Sequence, residues 1–459
     1  MQKANTVLDL IGNTPLLKVQ RMYTGKCELF LKLENQNPGG SIKDRIALSM
    51  ITAAEREGKL LPGGTLVEAT AGNTGLGLAL VAAQKGYKLI LVIPDKMSQE
   101  KVLHLKALGA QIVTTRSDVE KGHPEYYQDM AERIAGETPG SFYINQFGNP
   151  ANPEAHEKTT GPEIWEQMEH RVDAIVCGVG SGGTITGLSR YFSRVSPETE
   201  FVLADPAGSV LAGYIKDKTL GKAGSWFVEG IGEDFIPPIV DLSRVAKAYT
   251  ITDAESFATA RELLRSEGVL AGSSSGTLVA AALRYCRDSA TPKRVVTIVA
   301  DSGNKYLSKM FNDFWMADHG FLSKTSFGDL RDLVGRPFDE GAVSSVKPAD
   351  TLMTAFMRMR LHEYAQLPVI EDGKVVGILD ESDILLAVHK DPSNYRKPVS
   401  AHMTHNLVTV QPSASLEEIT AILGKGLAGL LYSEGKFYGL ITKVDLLNHL
   451  RRELLGKKD

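Results

Sequence analysis

Short apolar runs alternate with segments of helical periodicity over the first two thirds of the chain. Four runs predict buried strands, at residues 89–93, 174–177, 201–204 and 294–299. Strands separated by helices predict a largely parallel sheet that is covered by helices on both faces. In such α/β folds, ligands bind in the crevice beyond the carboxyl ends of the strands, where this chain carries its glycine-rich turns.

The pattern changes after residue 321, and the last part of the chain repeats itself. Segment 367–383 is echoed by segment 430–445, with Gly373 matching Gly435. Each copy predicts a strand, a glycine turn, a second strand and a helix start, and each follows a segment typical of a capped amphipathic helix. Two copies predict one pseudo-symmetric module, since a single copy would leave an apolar face uncovered. We therefore expect a first domain at residues 1–322, a linker at 323–340, and repeats at about 341–396 and 397–459.

Composition and charge are those of an ordinary globular protein with small-molecule partners. At 459 residues the chain is long for a single core, and its formal net charge of -4 lacks the basic excess of nucleic-acid-binding proteins. Cys27, Cys177 and Cys286 are too few and too widely separated for a disulfide framework, and they have no zinc-ligand spacing. The N-terminus lacks a signal-peptide core and no apolar run is long enough to span a bilayer, so we expect a cytoplasmic protein without membrane or nucleic-acid partners.

Lys43 is the first candidate catalytic residue. It directly follows a tight glycine turn, Asn37-Pro-Gly-Gly-Ser-Ile42, and the spacing of Ile46 and Met50 places it in the first turn of a helix. Burial and the positive end of the helix would both lower its pKa, as imine formation with a carbonyl cofactor requires. Most lysines in a first helical turn are solvated surface residues, so this assignment depends on the other motifs.

Two further motifs offer donors to an anionic substrate. Glu68-Ala-Thr-Ala-Gly-Asn-Thr74 follows an apolar strand and precedes a helical run, and amides at such a helix start can hold a carboxylate. Thr70 and Thr74 add hydroxyl donors. Asn73 can reach a phenolic oxygen, although a plain helix cap is an equally good interpretation. Gln146, after a short strand, offers a neutral donor to a carboxylate.

Two glycine- and serine-rich turns complete the set. Gly178-Val-Gly-Ser-Gly-Gly-Thr184 directly follows a predicted strand, and its backbone amides can surround a phosphate. No lysine follows the last glycine, so this is not the phosphate loop of nucleotide hydrolases, and a dinucleotide-binding fold would carry such a motif at its first strand. In Ala271-Gly-Ser-Ser-Ser-Gly276, one hydroxyl can face a ring nitrogen.

In this order, the motifs resemble the fold-type-II family of pyridoxal phosphate enzymes, which contains cysteine synthase and cystathionine β-synthase. The resemblance covers nearly all of residues 5–320 and implies two three-layer αβα subdomains, with Lys43 as the Schiff-base lysine. It implies that Asn73 bonds the cofactor's 3'-oxygen and that Ser274 faces the pyridine nitrogen, where a neutral group favours β-elimination over transamination. The residues implied to bind the cofactor phosphate are Gly180, Ser181, Gly182, Gly183 and Thr184. Those implied to bind substrate are Thr70, Ala71, Gly72, Thr74, Gln146 and Gly230.

Two activities of this family compete. Cysteine synthase displaces acetate from O-acetylserine with sulfide, whereas cystathionine β-synthase displaces water from serine with homocysteine. Residues 228–234 and the repeated module resemble the second group, whereas residues 145–161 look more like the first. Ala71 stands where many members have serine, which removes one hydroxyl contact to the substrate. We expect formation of cystathionine by a homodimer, with hydrogen sulfide release as a side activity, and cysteine synthesis as the alternative.

The repeated segment resembles a tandem CBS-domain pair, the Bateman module. In such modules a threonine and an aspartate after a glycine strand bind the phosphate and ribose of an adenosyl ligand. The second copy has Thr442 and Asp445 there, while the first has Asp383 but carries Asp380, which would repel phosphate, in place of threonine. Weak binding of S-adenosylmethionine or adenosine nucleotides and a purely structural role both stay open.

Two expectations concern what the protein does not do. The chain starts close to the catalytic core, at residues 6–15, so we expect no haem-binding extension and no metal. A rival interpretation is an adenosyl-ligand-sensing scaffold with an inactive first domain. The intact Lys43 argues against that rival.

Overall fold

The computed structural model describes residues 3–70, 72–95, 99–119, 122–322, 326–335, 337–338, 343–362 and 364–456. The chain divides into two compact units, Met1–Phe311 and Asn312–Asp459. Ala71 and parts of the predicted linker lie outside the described residues. Within the described part of the chain, no helix is long and apolar enough to cross a membrane.

The first unit alternates strands and helices, as the sequence predicts. Its strands are β1 (Leu16–Lys18), β2 (Glu28–Leu33), β3 (Thr65–Ala69), β4 (Lys88–Pro94), β5 (Gln111–Thr115), β6 (Ser141–Tyr143), β7 (Ala174–Cys177), β8 (Glu200–Pro206), β9 (Val245–Ile251) and β10 (Arg294–Val299). Its helices are α1 (Lys43–Arg56), α2 (Asn73–Lys85), α3 (Gln99–Ala107), α4 (Tyr127–Glu137), α5 (Ala151–Ala155), α6 (Gly161–Gln167), α7 (Gly183–Val195), α8 (Leu211–Asp217), α9 (Asp253–Glu267) and α10 (Ser273–Asp288). A π-helical turn, His156–Thr160, joins α5 to α6.

These strands form two sheets, and the mostly parallel pairing confirms the predicted fold class. One sheet has the order β1-β2-β10-β7-β8-β9 and is parallel except for β1. The other has the order β5-β4-β3-β6 and is parallel throughout. Strands β7 and β10 have the predicted bounds, and β7 is buried along its whole length, as expected of a strand covered on both faces.

Helices α1 and α2 pack closely at the start of α1. A Cβ atom at Gly77 would lie only 2.9 Å from the backbone oxygen of Lys43 and 3.2 Å from the Cβ atom of Ala47. Gly77 therefore permits a close approach between the two helices. On the same helix, Ile46 and Met50 are fully buried, so the apolar face of α1 anchors the turn that carries Lys43.

The second unit contains the two predicted repeats. Its strands are β11 (Gln366–Glu371), β12 (Lys374–Asp380), β13 (Val408–Val410), β14 (Gly429–Ser433) and β15 (Lys436–Ile441). Its helices are α11 (Asp313–Asp318), α12 (Leu352–His362), α13 (Glu381–Lys390), α14 (Leu416–Gly424) and α15 (Lys443–Gly456). Each repeat has an antiparallel hairpin followed by a helix, and both hairpin turns use two residues with positive φ, ending in Gly373 and Gly435.

Part of the predicted linker contributes to the core of the second repeat. Leu330 and Leu333, in a short 3-10 turn, are buried and pack in one cluster with Val410 and Ile419. In the first repeat, Val346 pairs in parallel with Val369, as β13 does with β14 in the second. The two repeats are thus alike in their pairing as well as in sequence.

Candidate active site

The segment after β10 joins three of the predicted motifs. The backbone N–H of Ile42, next to Lys43, donates to the oxygen of Ala300 at 2.8 Å. The N–H of Gly272, from the serine turn, donates to the backbone oxygen of Asp301 at 3.0 Å. Asn73 Nδ2 donates to Asp301 Oδ2 at 2.8 Å. The glycine turn, the asparagine loop and the serine turn therefore meet at the carboxyl end of β10, where a crevice is expected in this fold.

Lys43 is the first residue of α1 and is partly exposed. Burial of its ammonium is the largest influence and lowers its pKa to about 8, against the opposing effects of the Glu233 and Asp301 carboxylates. No residue that the structure describes gives Lys43 Nζ a hydrogen bond or an ion pair. The amine is free to react, and its pKa makes the neutral form accessible near pH 8.

The glycine turn before Lys43 depends on Asp44. Asp44 is fully buried, and its Oδ2 accepts a hydrogen bond from the N–H of Gly39 at 2.5 Å. A Cβ atom at Gly39 would lie 2.5 Å from Asp44 Oδ1, so only glycine fits there. Burial raises the pKa of Asp44 to about 6.

A buried ion network lies behind the start of α1. Arg45 donates to both oxygens of Glu163 at 2.7 Å and, through Nε, to Glu34 at 2.7 Å. Lys32 Nζ reaches Glu163 at 2.7 Å, and Asn37 Nδ2 donates to Glu34 at 2.8 Å. The network connects α1 with α6, β2 and the glycine turn, and each buried charge has an opposite partner.

Asn73 is held by residues that the sequence analysis did not identify. Its Oδ1 accepts from Lys305 Nζ at 2.6 Å, while its Nδ2 is held by Asp301. Tyr306 OH donates to the same Asp301 oxygen at 2.8 Å, and Lys305 Nζ also reaches the oxygen of Gly40 at 3.2 Å. An amide group has two N–H bonds, so Asn73 keeps one donor for a ligand.

The structure joins four of the six residues implied to bind substrate in two contacts at the start of α2. Thr74 Oγ1 donates to Gln146 Oε1 at 2.7 Å, which leaves the Gln146 NH2 group as a donor. Gln146 is 6% exposed, so its side chain is buried and not on the protein surface. Thr70 is also buried, and its hydroxyl accepts from the N–H of Gly72 at 3.3 Å. The candidate Ala71, between them, lies outside the described residues.

The glycine loop before α7 presents a run of unpaired amides. None of the backbone N–H groups of residues 180–185 donates to another residue in the described part of the chain. A Cβ atom at Gly180 would lie 2.5 Å from the oxygen of Gly230, and one at Gly183 would lie 1.8 Å from Asn152 Oδ1. The loop therefore tolerates only glycine at both positions, and its amides at a helix start form an anion cradle that fits a phosphate group.

Two side chains that the sequence analysis missed fix this cradle. Asn152 Nδ2 donates to Ser181 Oγ at 2.9 Å, and His156 Nε2 lies 3.3 Å from Thr184 Oγ1. Burial holds the pKa of His156 well below its usual value, so the ring is neutral. The signal for both was their spacing of four, which places them on one face of a helix. Gly182 carries a φ of 87°, as the turn into α7 requires.

Ser274 is the free hydroxyl of the serine motif. All three serines lie in the first turn of α10 rather than in the turn before it. Ser273 Oγ accepts from the N–H of Glu229 at 3.0 Å, and Ser275 Oγ accepts from the N–H of Ala300 at 2.9 Å. Ser274 is buried, yet its hydroxyl bonds to no residue among those described. It is thus the serine with a hydroxyl left for a ligand.

The loop at residues 228–234 lies against the phosphate cradle. The N–H of Gly232 donates to the oxygen of Val179 at 2.8 Å. Gly230 has a φ of 89°. The Glu229 carboxylate pairs with Lys101 from α3 and, at 2.7 Å, with Lys309. This loop therefore connects the cradle with α3, the helix between strands β4 and β5 of the other sheet.

The candidate ligand residues of the second unit serve as helix caps. Thr442 Oγ1 donates to Asp445 Oδ2 at 2.5 Å, and the Thr442 N–H donates to the same oxygen at 2.8 Å. In the first repeat, Asp380 and Asp383 exchange backbone-to-carboxylate hydrogen bonds of 2.8 and 3.0 Å. Asp380 and Asp383 form a capping box at the start of α13, and at the start of α15 the Asp445 carboxylate caps the N–H of Thr442.

Similar proteins agree with this geometry. A family model described as pyridoxal-phosphate dependent enzyme matches residues 7–301, and one described as CBS domain matches residues 336–390 and 399–452. The chain is 36% identical to cystathionine beta-synthase of Dictyostelium discoideum, over 98% of this chain and 92% of that protein. It is 46% identical to cysteine synthase A of Escherichia coli (strain K12), over 65% of this chain and 92% of that protein.

A solved structure extends the comparison. The crystal structure of an O-acetylserine dependent cystathionine beta-synthase from Helicobacter pylori matches with a TM-score of 0.62 and 36% identity, over 67% of this chain and 99% of that one. The unpaired amine, the amide cradle and these matches lead to one conclusion. The chain belongs to the fold-type-II family of pyridoxal-phosphate-dependent enzymes that includes the cystathionine beta-synthases, and it carries tandem CBS domains.

Proposed function

We propose that this enzyme condenses L-serine with L-homocysteine to give L-cystathionine and water. The observation that favours cystathionine formation over cysteine synthesis is the likeness to a cystathionine beta-synthase over 98% of the chain, which includes the repeated second unit. The cysteine synthase relative covers 65% of the chain. Release of hydrogen sulfide would follow where cysteine replaces serine as the substrate that loses its β-substituent.

The residues of the first unit fit pyridoxal phosphate. In this proposal the amides of residues 180–184, with the hydroxyls of Ser181 and Thr184, hold the phosphate, since their N–H groups have no partner within the described chain. Ser274 hydrogen-bonds the ring nitrogen, and Asn73 uses its remaining N–H for the phenolic oxygen. When bound, the cofactor supplies an electron sink that stabilises negative charge at the substrate α-carbon.

Lys43 has two tasks in this proposal. It holds the cofactor covalently between turnovers, and its freed amine removes the α-proton of the substrate and later returns it. A pKa of about 8 suits both tasks, because burial leaves about a tenth of the amine unprotonated at pH 7 and about half at pH 8.

The start of α2 would bind the substrate carboxylate. Gly72, Thr74 and Thr70 contribute backbone or hydroxyl donors beside the positive end of the helix, and Gln146 contributes its NH2 group. Ala71 and Gly230 are the remaining proposed contacts. Because Thr74 fixes the amide of Gln146, the donor would be oriented before the substrate arrives.

A second candidate donor substrate is O-acetylserine. It is favoured by the likeness to the Helicobacter pylori enzyme, whose printed name gives that dependence. An assay of the purified holoenzyme with serine or O-acetylserine, each combined with homocysteine or sulfide, tests both candidates. We expect the highest kcat/KM for serine with homocysteine. Cysteine formation from O-acetylserine and sulfide as the fastest reaction would replace our proposal with cysteine synthesis.

The second unit is proposed to bind S-adenosylmethionine or an adenosine nucleotide. The proposed ligand-binding residues are Thr442 and Asp445, with Asp383 in the first repeat. This proposal is supported by the resemblance of their spacing to that in ligand-binding Bateman modules.

We also propose a cytoplasmic homodimer, and the three buried, unpaired cysteines agree with a reducing compartment. Sedimentation velocity of the holoenzyme tests the dimer.

A further inference from the structure

We propose that the Glu233 carboxyl donates the proton that the departing hydroxyl of serine needs, and that it later accepts the proton of the incoming thiol. The inference rests on the proposed function and assigns one more catalytic residue to that reaction. Glu233 belongs to the loop at residues 228–234, which lies against the phosphate cradle.

The backbone around Glu233 is fixed on both sides. The N–H of Gly232 donates to the oxygen of Val179 at 2.8 Å. Ser209 Oγ accepts from the N–H of Glu233 at 3.1 Å and donates to its backbone oxygen at 3.1 Å. The side chain of Glu233 is partly exposed, and its carboxyl makes no hydrogen bond or ion pair with any residue described here. The backbone of Glu233 is therefore fixed, while its carboxyl group has no hydrogen-bond or ion-pair partner among the described residues.

The charged groups that act on this carboxyl are Lys43, Asp234 and Asp205. Burial, followed by Asp234, raises the pKa of Glu233 to about 8, and Lys43 is the cation that opposes this rise. Glu233 in turn contributes to the raised pKa of the phenols of Tyr126 and Tyr127. The carboxyl therefore lies within electrostatic reach of the proposed base, and it is mostly neutral at pH 7.

The proposed reaction needs two proton-transfer groups at once. Lys43 takes the proton from the α-carbon, while the β-oxygen must leave as water, because hydroxide is a poor leaving group. An acid whose pKa lies near the working pH is the most efficient donor. With its pKa near 8, the neutral Glu233 carboxyl meets that requirement.

The step balances over one turnover. The Cβ–O bond breaks, the oxygen takes the bonding electron pair and the Glu233 proton, and water leaves. Glu233 remains as carboxylate. It then takes the proton of the homocysteine thiol, whose sulfur forms the Cβ–S bond, and Lys43 returns its proton to the α-carbon. Both groups end in their starting protonation states, and no oxidant or reductant is needed.

The test compares two leaving groups in the holoenzyme. In Glu233→Gln we expect kcat with serine and homocysteine to fall by about a hundredfold, while kcat with O-acetylserine and homocysteine stays within about threefold. Acetate leaves as a stable anion without a proton, so with this donor Glu233 keeps its own proton and takes none from the thiol. Glu57→Gln, at an exposed carboxylate that is not among the charges acting on Glu233, is the control and should change neither kcat. An equal loss with both substrates, or no loss with either, would overturn the inference.

A second measurement does not depend on turnover. Infrared difference spectra of the wild-type holoenzyme should show a protonated carboxyl band that titrates near pH 8, disappears in Glu233→Gln and persists in Glu57→Gln. Burial gives Glu68 a similar pKa, so its band should remain in all three proteins. Wild-type spectra in which no carboxyl band besides that of Glu68 titrates near pH 8 would overturn the inference even if Glu233→Gln failed to fold. Wild-type enzyme that makes no cystathionine from either donor would instead refute the proposed function.

Discussion

Asp301 Oδ2 accepts a hydrogen bond of 2.8 Å from Asn73 Nδ2, across 228 positions of the sequence. The same oxygen accepts from Tyr306 OH, and Asp301 has no exposed surface. The orientation of the Asn73 amide, which is proposed to contact the cofactor, therefore depends on a buried carboxylate near the C-terminal end of the first unit's sequence.

Asp301→Ala should weaken cofactor binding. Loss of the carboxylate frees the Asn73 amide to rotate, and a hydrogen bond to a charged acceptor contributes about 1.5–3 kcal/mol, so we expect a rise in cofactor Kd of about tenfold or more. Titration of apoenzyme with pyridoxal phosphate, followed by visible absorbance, measures this. Tyr306→Phe keeps the Asn73 contact and should have the smaller effect; the reverse order would contradict the role assigned to Asp301.

Lys43→Ala should abolish turnover and the covalent attachment of the cofactor. The free amine is the group that reacts, and no other lysine follows the glycine turn within the first helical turn. Borohydride reduction of the holoenzyme and mass spectrometry of the peptide locate the attachment. Lys59→Ala, at a side chain that is 61% exposed, is the control and should retain both properties. Normal activity in Lys43→Ala would refute the assignment.

Gly183→Ala should damage the phosphate cradle. The new methyl group would lie 1.8 Å from Asn152 Oδ1, and relief of such overpacking costs about 1–3 kcal/mol, which corresponds to a rise in cofactor Kd of about fivefold or more. The matched control is Gly136→Ala in α4, where a Cβ atom meets nothing within 4 Å. That variant should keep wild-type cofactor affinity. Equal behaviour of the two variants would count against a tight cradle.

Glu163→Gln should remove the part of the free energy of unfolding that depends on ionisation of the Glu163 carboxyl. Although burial acts to raise it, Arg45 and Lys32 lower the pKa of Glu163 from 4.5 to about 2. A lowered pKa stabilises the fold above pH 4.5, and this contribution, about 3 kcal/mol, is lost as pH falls through 2. The variant should be less stable at pH 7 and should lose less stability between pH 4.5 and 2. Denaturant unfolding across that range measures both, with the exposed Glu57→Gln as the control.

Thr442→Val tests whether Thr442 only stabilises the start of α15 or also binds an adenosyl ligand. Loss of the hydroxyl should destabilise the start of α15 by about 1 kcal/mol, and Ser415→Ala, which removes the cap of α14, should cost about the same. Calorimetry of the full chain with S-adenosylmethionine and with adenosine nucleotides should give heat for wild type and Ser415→Ala but not for Thr442→Val. Wild type without heat would leave Thr442 and Asp445 as caps alone.

Local patterns were enough to predict much of the site. The start of α1 at Lys43, the helix after the glycine loop, and the bounds of β7 and β10 all follow from short stretches of sequence in which turn residues precede apolar periodicity. The hairpins of the second unit were predictable for the same reason, because the repeat shows each turn twice.

The side chains that orient these motifs could not be predicted in the same way. Lys305 reaches Asn73 across 232 positions, and a single sequence carries no sign of that pairing. Asn152 and His156 are four residues apart, which predicts that they share one helix face. That spacing indicates a functional role only when their burial is also known. Glu233 was part of a motif, yet its free carboxyl depends on how Ser209 and Val179 hold the loop.

The place of β10 in its sheet has a consequence for how the protein is made. This strand is the last of the first unit to leave the ribosome, yet it lies between β2 and β7, and the next residue, Ala300, supplies the oxygen that receives the N–H of Ile42. Lys43 is synthesised early but acquires its setting only when Asp301 and Tyr306 have emerged. We therefore expect capture of the cofactor to be a late event in biosynthesis, because nascent chains that end before residue 301 lack the groups that complete the site.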